Sequence, residues 1–326
     1  MVVARCHRCG ASAEVYLPYA RMWFCSRHFT EYVVDRVRSS LKRYGMIKLG
    51  DSVLVCVSGG KDSITLLDVL WCLRDEFSLD IKVLHVDLGI GEYSVKCREV
   101  IEKVAERYGI RPMILYVKRI LGMDVGAIAR RVRRSTCSVC GLVKRYLINY
   151  VADVLDVSAV ATGHTLDDLT MYILKLFITQ DLTQLSRLRP YLEGVPEVGL
   201  RARIKPLCEI SEFETSTYVK LLGLPHVVAK CPYINPESID LKIKEFLTSL
   251  EDRSPGLKLS LLRNYLRKLA PILMRYLGED KVGINRCRIC SQATSGEVCS
   301  FCRLISKLGL EPEEVLRRIR EEVLSS

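Results

Sequence analysis

With 326 residues and 49% hydrophobic content, the chain can bury at least one full core and still carry appended modules. Its 49 lysines and arginines exceed 38 acidic residues, a formal charge of +11, and no run approaches the roughly 20 apolar residues of a bilayer span. Met1 to Cys9 shows no apolar core of a signal peptide, so a reducing cytoplasmic location is expected rather than a secreted disulfide scaffold, and the fourteen cysteines read as metal ligands.

Cys6-x2-Cys9 and Cys25-x2-His28, with fifteen residues between the pairs, supply the four ligands of a closed tetrahedral zinc site, so residues 1–30 are expected to form a zinc knuckle. A closed site leaves no position for substrate, which makes this zinc structural. Glu31 to Tyr44 has helical spacing and joins the knuckle to an expected catalytic domain spanning residues 31–235.

Ser52 to Val57 is a β-rich apolar run that opens directly into Ser58-Gly59-Gly60-Lys61-Asp62-Ser63 and then into a helical pattern from Ser63 to Glu76. A strand feeding a glycine turn into a helix N-terminus is a phosphate cradle. The glycines admit an anion, free N–H groups donate to it, and the helix dipole favours it. The common P-loop is excluded, because no glycine stands at position 55 and Asp62 follows the lysine.

Further strand patterns cover Ile81 to Val86, Met113 to Val117 and Val157 to Thr162; helical patterns cover Val95 to Tyr108, Cys137 to Leu155 and Leu166 to Thr179. Repeated strand–helix units predict an α/β fold, a doubly wound parallel sheet with helices on both faces and a ligand beyond the C-terminal strand ends. Three loops then share one rim: the glycine turn, His85-Val86-Asp87, and Gly163 to Asp168. Lys118 to Arg134 carries six cations against Asp124 alone, a patch suited to a phosphate backbone.

Cys137 and Cys140 are paired, whereas Cys231 stands alone before Pro232, after a strand-like His226 to Ala229. Three cysteines make a poor closed zinc site but a natural cradle for an iron–sulfur cluster with one open iron. A persulfide relay between Cys137 and Cys231, or a zinc pair lacking partners, are the competing readings of the same residues. Lys144 lies one helical turn after Cys140 and shares its face; Asp168 opens the next helix on the rim, where a carboxylate can take a proton or hold magnesium.

Pro236 to Leu277 reads as a helical extension, assigned to residues 236–280, whose Lys258, Arg263, Arg267, Lys268 and Arg275 form a second basic patch. Cys287-x2-Cys290-x8-Cys299-x2-Cys302 is a four-thiolate zinc knuckle within residues 281–326, followed by an amphipathic packing helix over Pro312 to Leu324.

This order of motifs, from residue 6 to residue 302, resembles the tRNA 2-thiouridine synthetases of the TtcA/TtuA family, in the ATP-pyrophosphatase superfamily. The resemblance implies adenylation of the C2 oxygen of a tRNA uridine by ATP, followed by replacement of that oxygen with sulfur. It implies that Cys137, Cys140 and Cys231 bind a [4Fe-4S] cluster whose open iron takes sulfide from a thiocarboxylated ubiquitin-like carrier. It places Lys144 and Asp168 at the family's catalytic lysine and aspartate, and Val57, Ser58 to Ser63, His85 and Gly163 in the ATP site. A homodimer, magnesium and two zinc ions complete what it implies. The tail Cys302-Arg303-Leu304 lacks the Gly-Leu-Asn associated with wobble-uridine enzymes, which favours a T-loop 5-methyluridine as target. Thr165 and Leu169 depart from the family's usual Asn and acid, so neither position is assigned an essential role. Outside the family, the alternatives are a non-catalytic zinc nucleic-acid-binding protein, without ATP cleavage to AMP, and an iron–sulfur redox sensor; lysidine-forming ligases lack the cysteine framework.

Overall fold

A computed structural model describes residues 4–277 and 283–325. The first knuckle is built on an antiparallel hairpin of β1 (Val15–Leu17) and β2 (Met22–Phe24), with Tyr16 opposite Trp23. Cys25 is the N-terminal flanking residue of α1 (Ser26–Arg43), and His28 lies in its first turn. This helix starts five residues before the expected Glu31, because the ligand pair itself opens it.

The central sheet then assembles in chain order: β3 (Ser52–Cys56), α2 (Lys61–Phe77), β4 (Asp80–Asp87), α3 (Gly91–Tyr108) and β5 (Met113–Tyr116). Short helices α4 (Val117–Leu121) and α5 (Val125–Arg131) precede the long α6 (Thr136–Val154), which returns the chain to β6 (Ala159–Ala161). After α7 (Leu166–Ile178) and α8 (Leu182–Ser186), the short strands β7 (Tyr191–Leu192) and β8 (Ala202–Ile204) close the edge, and α9 (Glu212–Leu221) packs back. The six strands lie in the order β5-β4-β3-β6-β8-β7, all parallel except β7. The expected parallel sheet is therefore present with one antiparallel edge strand, a common termination for such sheets.

Alternation along the strands covers both faces. Val53, Val55, Ala159 and Ala161 enter a core shared with α1, α2, α7 and α9, while Leu54, Leu84 and Val160 enter one shared with α6 and the C-terminal helices. Leu169, one of the two departures noted in the sequence, fills the first core. From β3 the chain moves to β4 on one side and later to β6 on the other, so the topological switch point lies between β3 and β6.

Leu224 to Lys230 forms no strand, contrary to the strand-like pattern at His226 to Ala229. Instead Val227 donates its N–H to the carbonyl of Gly59 at 2.9 Å, so this segment is tethered to the glycine turn rather than to the sheet. The helical extension comprises α10 (Ile239–Arg253) and α11 (Leu257–Asn264), which passes through a π turn at Tyr265–Leu269 into α12 (Ala270–Leu277). The expected boundary at residues 280 and 281 lies outside the described residues. The C-terminal knuckle pairs β9 (Asn285–Arg286) with β10 (Ala293–Thr294) and continues into α13 (Ser300–Lys307) and α14 (Pro312–Ser325). α14 buries Val315, Ile319 and Val323 against the sheet's β5 edge, as a packing helix should.

Candidate functional site

A cavity of about 550 Å3 opens at the C-terminal ends of β3, β4 and β6. The phosphate loop forms one wall. Ser58, Gly60, Asp62 and Ser63 line it, and the N–H groups of Gly59, Gly60, Lys61, Asp62 and Ser63 have no acceptor among the described residues. These free donors at the start of the 17-residue α2 are the array of N–H groups that an anion site needs. Ser63 Oγ accepts from the N–H of Ser58 at 3.1 Å and donates to the carbonyl of Gly60 at 2.9 Å, which fixes the turn. Gly59 (φ 87°) needs its glycine, since a side chain there would also press on the backbone of Cys97 at 3.2 Å. Gly163 needs its glycine for close approach, because a Cβ would stand 3.1 Å from the backbone of Asp62 and Ser63.

His85 is buried at 5% exposure, and its Nδ1 lies 2.9 Å from the carbonyl of Val57. A carbonyl only accepts, so Nδ1 carries the proton, and Nε2 is left as a bare acceptor facing the cavity with no partner among the described residues. Burial lowers its pKa and keeps the ring neutral. A buried acceptor without a donor is costly, and a ligand hydroxyl or amine would satisfy it.

Opposite the loop, Cys140, Gly141, Lys144 and Arg145 of α6 line the cavity together with Cys231 and Arg203. Burial pushes the Cys140 thiol up, and the Lys144 charge beside it works in the other direction. The tether from Val227 to Gly59 delivers Cys231 to this wall. Cys137 is exposed outside the lining, yet its Sγ lies 3.5 Å from the carbonyl of Tyr233, two residues past Cys231, so all three cysteines gather at one end of the cavity. They do not form a group with all sulfurs within 4.8 Å, unlike the two knuckles. A single tetrahedral zinc would demand that compactness; a cubane, which binds each thiolate through a different iron, spreads its ligands wider.

Both knuckle quartets fit zinc. Tetrahedral geometry with Zn–S near 2.3 Å requires sulfurs about 3.8 Å apart and an N···S distance of about 3.5 Å. Cys9 and Cys25 are 3.9 Å apart, and His28 Nδ1 lies 3.5 Å from Cys6 and 3.4 Å from Cys25. The pairs Cys287–Cys302 and Cys290–Cys299 stand at 3.8 and 3.7 Å.

Besides Cys137 and Gly59, two further expected residues, Lys61 and Asp168, lie outside the lining. Lys61 points along the rim, 2.7 Å from Asp62 and 3.9 Å from Glu212. Asp168 forms a capping box with Thr165 and an ion pair with Lys244 of α10 at 2.5 Å. Burial alone would raise its pKa, but the Lys244 charge and hydrogen bond override it and keep the carboxylate ionised. Lys244 also bonds Glu212 at 2.5 Å, so the extension is clamped to the rim. Arg145, Arg203, Cys97 and Tyr93 line the cavity without having been singled out from the sequence. Arg203 follows from the unrecognised strand β8; Cys97 carries no spacing signal at all.

Comparison with known proteins agrees with this geometry. The chain matches the PP-loop domain family over residues 33–230 and the N-terminal LIM domain of the 2-thiouridine synthetase TtuA over residues 5–30. It is 36% identical to the tRNA-5-methyluridine(54) 2-sulfurtransferase of Thermus thermophilus, covering 98% of each chain, and 34% identical to that of Pyrococcus horikoshii, covering 92% and 93%. The solved structure of the U34-tRNA thiolase NcsA from Methanococcus maripaludis with its [4Fe-4S] cluster superposes with a TM-score of 0.80 at 27% identity, over 95% of this chain and 98% of the other. Cradle, cysteine framework and relatives converge: the chain belongs to the PP-loop tRNA 2-thiouridine synthetases of the TtcA/TtuA family, enzymes that thiolate tRNA.

Proposed function

We propose that the chain uses ATP to activate the C2 oxygen of 5-methyluridine in the tRNA T-loop and replaces that oxygen with sulfur. The observation that carries this reading is the shared cavity: free N–H donors of a phosphate loop on one wall and Cys140 and Cys231 on the other, with Lys144 between. A uridine carbonyl oxygen is a poor leaving group until AMP is attached to it. The loop amides, with Lys144, Arg145 and Arg203, supply the positive surround that a triphosphate needs as its α–β bond breaks and pyrophosphate leaves. His85 Nε2 orients the nucleotide by accepting from one of its donors. Asp168, kept ionised by Lys244, is the carboxylate available to magnesium at the phosphates.

Cys137, Cys140 and Cys231 would hold a [4Fe-4S] cluster, which supplies activated sulfide next to the adenylated base. The residues fit the group: three thiolates that cannot close on one zinc, at the end of a cavity whose apolar Leu84, Val86 and Ile148 limit water. A thiocarboxylated ubiquitin-like carrier as sulfur source and a homodimer as the working assembly belong to the same reading, as do residues 1–30, 31–235, 236–280 and 281–326 as its four modules. The likeness to NcsA favours wobble uridine as the second reading of the target.

Replacement Cys231→Ala tests the site. Anaerobically purified variant should lose visible iron–sulfur absorbance and its iron while retaining two zinc per chain. Full iron content in the variant would contradict the assignment.

A further inference from the structure

Arg203 lines the cavity wall, and Lys205, two residues further along the chain, donates to the carbonyl of Arg189 at 2.5 Å. Arg189 in turn lines a second, larger groove of about 1010 Å3, which runs between the C-terminal end of α1, the approach to β7, and α11. Arg43, Arg189, Arg263 and Arg267 line this groove, and no carboxylate does. The acid beneath it, Glu209, is buried and already shared between Arg43 and Arg263. Tyr44 and Tyr191 stand among the arginines. The helix that forms the groove's far side is interrupted there by the π turn at Tyr265–Leu269, which carries the exposed Arg267 and Lys268; such turns recur at functional sites.

We propose that this groove is the RNA track of the enzyme, holding phosphates and unstacked bases of the tRNA that flank the nucleotide delivered to the cavity; the proposal rests on the thiolation reading above. Guanidinium groups present a planar fork that matches phosphate oxygens in pairs; Glu209 offsets Arg43 and Arg263, while Arg189 and Arg267 have no carboxylate partner among the described residues. Tyrosine rings offer stacking platforms for bases splayed from a loop. The hydrogen bond from Lys205 to the carbonyl of Arg189 joins the segment that bears Arg203 to the groove wall at the sheet's β7 edge. Sequence alone suggested a basic patch from Lys258 to Arg275, but Lys258 is buried against Asp167 at 2.6 Å and leaves that patch, while Arg43 and Arg189 join it from distant parts of the chain.

The test is binding of fluorescently labelled unmodified tRNA to the anaerobically purified full chain across a salt series. The double variant Arg189→Glu and Arg267→Glu should weaken binding at least about tenfold, and the slope of log affinity against log salt should fall by about 1.4 to 1.8. A matched charge reversal on α14, Arg317→Glu with Arg320→Glu, lies at the opposite sheet edge and should change affinity less than about twofold. Unchanged ATP affinity shows that each variant is folded, and Arg267→Gln, which only neutralises, should give an intermediate loss. Equal losses in groove and α14 variants, or an unchanged salt slope, overturn the track. Groove-dependent RNA binding without 2-thiouridine in tRNA co-expressed with the wild-type chain would leave the track standing and overturn the thiolation reading instead.

Discussion

At the residue scale, the site is held by a few close contacts whose removal has a definite cost. Gly163 allows the β6 loop to touch the start of α2, and a methyl group there would meet the Ser63 backbone at 3.1 Å. Gly163→Ala should displace the phosphate loop by a few tenths of an ångström and weaken ATP binding about tenfold, or ~1.4 kcal/mol, in calorimetric titration. Affinity equal to wild type would show that the loop gives way freely. Glu209 illustrates a different economy of charge. Burial would raise its pKa, but the hydrogen bonds from Arg263 and Tyr44 and the neighbouring guanidinium charges bring it down to about 2. A carboxylate with a depressed folded pKa stabilises the fold above its unfolded value near 4.5, and that stability is lost as pH falls towards 2. Unfolding free energy should therefore drop across that window. Glu209→Gln should flatten the drop and cost on the order of 3 kcal/mol at pH 7, read from denaturant titrations. A variant with the wild-type pH profile would remove Glu209 from that role.

At the element scale, α6 is the part on which the proposed chemistry depends, since it carries Cys137, Cys140 and Lys144. Its outer face is braced by the C-terminal knuckle. Phe301, in the first turn of α13, stacks on Tyr146 at 3.8 Å between ring centroids with planes 7° apart. The C-terminal four-cysteine knuckle thus supports the cysteine helix rather than a remote tail. Phe301→Ala should cost about 3–5 kcal/mol and speed amide exchange along α6, while ATP binding persists. Unaltered exchange in α6 would show the knuckle to be independent of it. Between Ser52 and Thr179 the four strands and the four long helices were legible in the sequence, because apolar period and glycine punctuation were strong there, whereas the short α4 and α5 were not. The short β7 and β8 were not: two or three residues give no period to read, and with them went Arg203. Cys231 could be named but not placed, because one backbone hydrogen bond, from Val227 to Gly59, brings it to the rim, and no local pattern encodes that bond. Asp168 was legible as the start of a helix, but its pairing with Lys244 depends on α10, some seventy residues away in sequence.

At the scale of the whole molecule, two cysteine-rich knuckles and a helical extension surround one sheet whose rim brings the phosphate loop and Cys140 and Cys231 to a single cavity. The excess of positive charge is not uniform over that surface: carboxylates such as Asp167 and Glu209 absorb part of it internally, Arg43, Arg189, Arg263 and Arg267 line one groove at the β7 edge, and Arg130, Arg131, Arg133 and Arg134 are exposed at the end of α5. No helix among the described residues is long and apolar enough to cross a membrane. The central claim is that cradle and cysteines serve one reaction on one base. Nucleoside mass analysis of tRNA from cells expressing the wild-type chain, compared with Cys231→Ala, tests it most directly. The account predicts 5-methyl-2-thiouridine from the T-loop with the wild type and none with the variant; equal thiolation in both, or none in either, would contradict it.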